Sequence, residues 1–164
     1  RRKNKPRLLR ESHEFRVLRV GMINALEPLG RGRYSALALA VFASFFWSKG
    51  KGIHGANLVS MSEEFMRKHF AFTRREHSTG LHGLREVKLL KRIRGHHLNP
   101  ETGKFDPAAY RPIWMPHKQY LSGGRRFLVY WSVIVSDEYL RCTATTQAIL
   151  IMLMTLRLGK TNKL

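Results

Sequence analysis

A joint of only three residues constrains this chain more than anything else in it. Phe70-Ala71-Phe72 separates two stretches that both open with an S/T-x-x-E pattern, Ser60-Met61-Ser62-Glu63 and Thr73-Arg74-Arg75-Glu76. In a capping box the hydroxyl accepts from a backbone N–H of the first turn, and the carboxylate reaches back to the cap residue. The spacing predicts two short helices, over about 62–69 and 74–87, with almost no slack between them.

In the second of these helices, Leu81, Leu84 and Val87 recur at spacing three and define a buried face. At 100° per residue the opposite face carries Arg75, Ser78, Thr79, His82 and Glu86, flanked by Arg74 and Arg85. Long guanidiniums beside short hydroxyls are suited to a base edge or a phosphate: the former reach, and the latter permit close approach. Gly80 and Gly83 each weaken a helix by roughly 1 kcal/mol relative to Ala. They either admit another backbone at close range or break the helix. Two helices on so tight a joint form the helix-turn-helix pattern, whose second helix can enter the DNA major groove.

The charge points to the same kind of partner. The chain has 164 residues, 43% of them hydrophobic, and carries a formal charge of +19. It can therefore bury a core and still present a strongly cationic surface. Residues 1–10 hold six basic residues and no acid, and residues 73–94 hold seven basic against two acidic. Residues 127–164 hold four basic and two acidic. This clustering implies a polyanionic partner, nucleic acid, bound by an N-terminal arm and a central element. In the arm, Arg1, Arg2, Lys3, Lys5 and Arg7 are candidate phosphate ligands.

The rest of the chain reads as scaffold. Phe15–Val20 suits an extended segment. Ser35 is expected to cap a helix that is apolar nearly all round to about Ser48, and that belongs at the centre of a core. Lys88–Arg94 suits a strand with Arg92 and Arg94 on one side. Tyr110–Trp114 suits a returning edge strand, because Pro112 bars a central place. The turn between them would present His96, His97 and Lys104. Residues 117–126 look like a linker, followed by a β-rich segment and a final apolar helix from Thr143 or Thr145 to about Leu158. This last strand and helix echo 15–51 in order and spacing. They are expected to be either a partial second copy of the same unit or the completion or dimerisation element of the first, with 145–158 as the surface of a homodimer. The apolar runs Ala36–Trp47 and Ala148–Leu156 are shorter than the ~20 residues a membrane span requires, and no signal peptide is visible. The single Cys142 excludes an internal disulfide and fits a reducing, cytoplasmic compartment.

Catalytic and metal chemistry find little support. His96 and His97 are adjacent, so on a strand they point to opposite faces. His77 and His82 are five apart and diverge on a helix. Asp106, Asp137 and Glu138 do not cluster with other acids as a Mg²⁺-dependent nuclease site requires. No P-loop and no G-x-S-x-G elbow is present. The expectation is a protein that is not an enzyme, with no cofactor and no metal.

Across Phe15–Trp114 the layout resembles the winged-helix domains of plasmid-type replication initiators and related prokaryotic regulators. Ser35–Trp47, Ser60–His69, Thr73–Val87 and Lys88–Trp114 stand where that family has an apolar helix, a capped second helix, a capped recognition helix and a basic β-wing. The resemblance implies a mainly α fold with a small β-wing (α+β). It divides the chain into a basic arm (1–14), a winged helix-turn-helix domain (15–116), a linker (117–126) and a C-terminal strand and helix (127–164). It also implies duplex-DNA binding in replication initiation or transcription regulation, in association with a nucleoid or plasmid. An RNA-binding ribonucleoprotein subunit and an assembly adaptor are the competing expectations.

Overall fold

The computed structural model describes residues 14–47, 58–115 and 125–156. Residues 1–13 of the arm and 117–124 of the proposed linker lie outside these residues. The chain is mixed α/β with small antiparallel sheets. In order, its elements are β1 (Phe15–Arg19), α1 (Val20–Ala25), a 3₁₀ turn (Glu27–Leu29), α2 (Gly32–Phe46), α3 (Glu63–Phe70), α4 (Arg74–Glu86), β2 (Leu90–Arg94), β3 (His97–Leu98), β4 (Phe105–Asp106), β5 (Ala109–Pro112), β6 (Arg126–Tyr130), α5 (Trp131–Ile134), α6 (Asp137–Leu140) and α7 (Ala144–Leu156).

α4, α7, β1 and the 3₁₀ turn pack on α2. Every residue from Ser35 to Phe45 is buried, which is why this helix carries no polar stripe. It starts at Gly32 rather than at Ser35, which lies inside the helix and is buried. This burial takes in two polar residues, Ser35 and Ser44, and Ser44 is satisfied within it. Its hydroxyl donates to the Ala40 carbonyl (2.9 Å) and accepts from Trp114 Nε1 (2.9 Å). The aromatic rings of the joint meet α2 directly: Phe42 lies 4.1 Å from Phe70 and 5.7 Å from Phe72, centroid to centroid. The joint itself turns at Ala71, in the left-handed conformation (φ 55°).

The C-terminal segment closes this same core. β6 pairs antiparallel with β1, from Phe15 opposite Tyr130 to Arg19 opposite Arg126, so the strand begins inside the segment the sequence presents as linker. α7 packs on α2, and Ala144, Ala148 and Ile151 join one continuous apolar cluster with Phe42 and Leu84. Ile151 is therefore sealed inside the monomer, while Ile149, Leu153 and Leu156 face out. No helix among the described residues is long and apolar enough to cross a membrane.

Tyr139 is 3% exposed, and its hydroxyl finds no partner among the described residues. Burial pushes this phenol well above its ordinary range. In the unfolded chain a tyrosine ionises near pH 10, whereas in the fold it stays neutral. Stability is therefore lost as the pH rises above about 10, by about 1.4 kcal/mol per unit, and is unaffected by this group below that. Tyr139→Phe is expected to remove that alkaline slope. It should also stabilise the protein near neutrality by up to about 1 kcal/mol, because no buried hydroxyl remains unsatisfied. Urea unfolding of both proteins at neutral and strongly alkaline pH measures the difference.

Candidate nucleic-acid interface

The site is built on α4, and α4 is fixed at both ends and along one side. Thr73 Oγ1 accepts from Glu76 N (3.1 Å), and Thr73 N donates to Glu76 Oε1 (3.1 Å), a complete capping box. The other oxygen of Glu76 accepts from Ala144 N at the start of α7 (2.7 Å). One carboxylate thus ties together the N-termini of two helices, and both dipoles favour a negative charge there. By contrast, Ser60 does not cap α3. Ser62 does, accepting from Phe65 N (3.1 Å).

The glycines permit close approach rather than breaking the helix. A Cβ on Gly80 would lie 2.7 Å from the Ser35 carbonyl oxygen, and one on Gly83 would lie 2.9 Å from Leu29 Cδ1. α4 therefore lies directly on the start of α2. Its buried stripe is His77, Gly80, Gly83 and Leu84, with Leu81 and Val87 only half-buried. His77 is buried, with Nε2 2.9 Å from the Met61 carbonyl. Since a carbonyl only accepts, this nitrogen carries the proton.

The opposite face is open. Arg74, Arg75, Ser78, Thr79, His82 and Arg85 are all exposed, and together with Glu86 they cover an arc of about 140°. His82 Nε2 lies 3.8 Å from Glu86 at the helix surface. A cavity of about 280 Å³ separates this face from Leu29 and Gly32, with Ser78 and Thr79 on its wall.

The hairpin that follows brings cations the sequence does not place. α4 gives way to β2 through Lys88, which is held in the left-handed conformation (φ 60°). That conformation costs a residue with a Cβ roughly 1–2 kcal/mol, and glycine would take it freely. Between α4 and β2 lies a crevice of about 870 Å³. Arg85, Lys88, Lys91 and Arg92 line it, over Leu90 and Ile113, with Glu86 its one acid. Across the β2–β5 ladder Lys91 stands directly opposite Arg111, and both are exposed. Directly opposed like charges destabilise a sheet.

The pairing also corrects the placement of two site residues. Arg92 pairs with Tyr110 and Arg94 with Ala109, so Ile93 is an extra residue at a bulge. Tyr110 and Ala109 are neighbours on one strand and point to opposite faces. Arg92 and Arg94 consequently do not share a side, because a bulge re-aims the chain beyond it. Arg92 is exposed and Arg94 half-buried. At the hairpin end His96 and Lys104 are exposed. His97 is half-buried, with Nε2 3.4 Å from Asp106 and Nδ1 3.4 Å from the Gly95 carbonyl. Arg1, Arg2, Lys3, Lys5 and Arg7 lie outside the described residues. Among the described residues no three His, Cys, Asp or Glu side chains come together in a way that could hold a metal ion.

Comparison with family models, with curated proteins and with solved structures finds no match.

Proposed function

We propose that this protein binds duplex DNA as a winged helix. In this reading α4 lies in the major groove, and hairpin β2–β5 is the wing along the bordering phosphate backbone. The observation that carries the proposal is the convergence of two cationic surfaces on one crevice. Arg85 from α4, Lys88 from the turn and Lys91 and Arg92 from β2 line a single channel beside the exposed face of α4. The order of elements supports it, with the apolar α2 followed by α3, the tight joint, α4 and the hairpin. So does Val59, which exchanges both backbone bonds with Tyr110 (2.7 and 2.9 Å) and adds a rudimentary third strand to the hairpin. Phosphate ligands set the register, while Arg75, Ser78, Thr79 and His82 read base edges. The layout extends the proposal to a site-specific role in plasmid-type replication initiation or promoter regulation.

Selection of bound sequences from a random duplex pool tests this directly. A defined motif is expected, with log affinity falling about 0.9 per phosphate contact against log salt. Arg75→Ala is expected to cost roughly 1–3 kcal/mol and to relax one base position. A uniform loss across all sequences would reassign Arg75 to phosphate. Failure to enrich any duplex, together with preference for structured RNA, would overturn the DNA reading in favour of an RNA-binding subunit.

A further inference from the structure

The far end of the hairpin carries an apolar pair that the fold does not use. Phe105 is 74% exposed and Leu98 54%, and Phe105 is the most exposed large apolar side chain among the described residues. The two are directly opposed across the β3–β4 ladder, so they stand side by side on one face. Hydrogen bonds close the turn between them. Asn99 N donates to the Lys104 carbonyl (2.8 Å), Gly103 N donates to the Asn99 carbonyl (2.9 Å), and Asn99 Oδ1 accepts from Glu101 N (2.9 Å). Asp106, the acid beside the pair, is engaged by His97 at 3.4 Å and by Asn99 Nδ2 at 3.3 Å. Lys104, His96 and the acid Glu101 stand exposed around the tip, and the cationic charge of the hairpin lies behind it at Lys91, Arg92 and Arg111.

The size and charge of this patch decide what it fits. A stable protein interface takes about 800 Å² from each partner, far more than two side chains on a two-residue ladder can offer. Insertion between base pairs needs only one or two apolar side chains on a cationic support. We propose that Phe105 and Leu98 form a base-stacking wedge. When α4 and the crevice hold a duplex, the tip enters the adjoining minor groove and Phe105 slides between two base pairs, opening that step and bending the helix axis. The inference rests on the duplex-DNA reading above and adds a second contact of different chemistry.

The test uses the full chain and a duplex it selects, with 2-aminopurine substituted at successive steps along the flank. Binding is expected to raise fluorescence at one step and to slow the duplex in a bending assay by gel mobility. Phe105→Ala should abolish both signals and weaken binding by about tenfold, whereas Phe105→Trp should preserve them, with the indole emission quenched. The ring is exposed, so thermal melting of both variants should match the parent. If the parent binds duplex and Phe105→Ala changes neither affinity nor fluorescence, the wedge is wrong and the DNA reading stands. A loss of affinity with no fluorescence change at any step would mean packing in the groove without insertion, and would equally overturn the wedge. If the parent binds no duplex at all, both fall together.

Discussion

Gly80→Ala is expected to destabilise the protein by about 1–2 kcal/mol net, although it replaces a poor helix former with the best one. Taken alone, the exchange favours the helix by about 1 kcal/mol. Against this, the new methyl would lie 2.7 Å from the Ser35 carbonyl oxygen and 3.0 Å from its carbon. These are backbone atoms inside α2, so they cannot rotate aside as a side chain can, and overpacking of this kind costs 1–3 kcal/mol or more. α4 must lift away from α2, and the exposed arginine face moves with it, so duplex affinity should fall as well. Gly83→Ala is the control. Its methyl meets the end of the Leu29 side chain at 2.9 Å. That side chain can swing away, so the propensity gain offsets the contact and the variant should lie within about 1 kcal/mol of the parent. Urea denaturation measures both. A Gly80→Ala protein as stable as the parent would mean that the two helices do not touch there.

The contrast between these glycines shows what the sequence can and cannot convey. The second capped helix was legible because its box, Thr73 to Glu76, is local, and local hydrogen bonds follow from spacing. That the same Glu76 also caps α7 was not, because Ala144 lies far along the chain. The first cap was misplaced by two residues because Ser60 and Ser62 both stand before the acidic turn, and only packing selects Ser62. Ser35 reads as a cap until Gly80 is known to sit on its carbonyl. The burial of His77 is not legible either, because its partner, the Met61 carbonyl, lies on the other side of α3 in the chain. The face of Arg94 depends on a bulge at Ile93, and the fate of 127–164 depends on the register of β6 against β1. Both are pairings between distant residues, invisible to periodicity. The exposed set on α4 was readable because helical geometry alone separates Arg75 and His82 from Leu84. Lys88 and Lys91 are not legible because nothing in their spacing shows that a crevice gathers them, and Arg111 is not because its place opposite Lys91 is a pairing between distant residues.

Replacing Arg85, Lys88, Lys91 and Arg92 together by Gln is expected to weaken duplex binding by roughly a thousandfold at 0.15 M salt, while leaving the fold intact. Each phosphate contact contributes about 0.9 to the slope of log affinity against log salt, which at 0.15 M corresponds to about fivefold per contact. Four contacts therefore give a thousandfold loss, and the slope should fall by about 3.6. Stability should move the other way. Lys91 no longer faces Arg111 across the ladder as a like charge, a gain of a few tenths of a kcal/mol. Lys88→Gly alone sharpens the separation: it frees the left-handed turn of a strain of roughly 1–2 kcal/mol and should raise the unfolding midpoint while costing one phosphate contact. A residue whose removal stabilises the fold and weakens binding is placed there for the partner and not for the fold. Equilibrium binding titrations over 0.05–0.3 M salt, run beside urea unfolding of the same preparations, measure both effects. If the quadruple variant keeps the parent's salt slope, the crevice does not hold the phosphate backbone, and the observation that carries the DNA reading is lost.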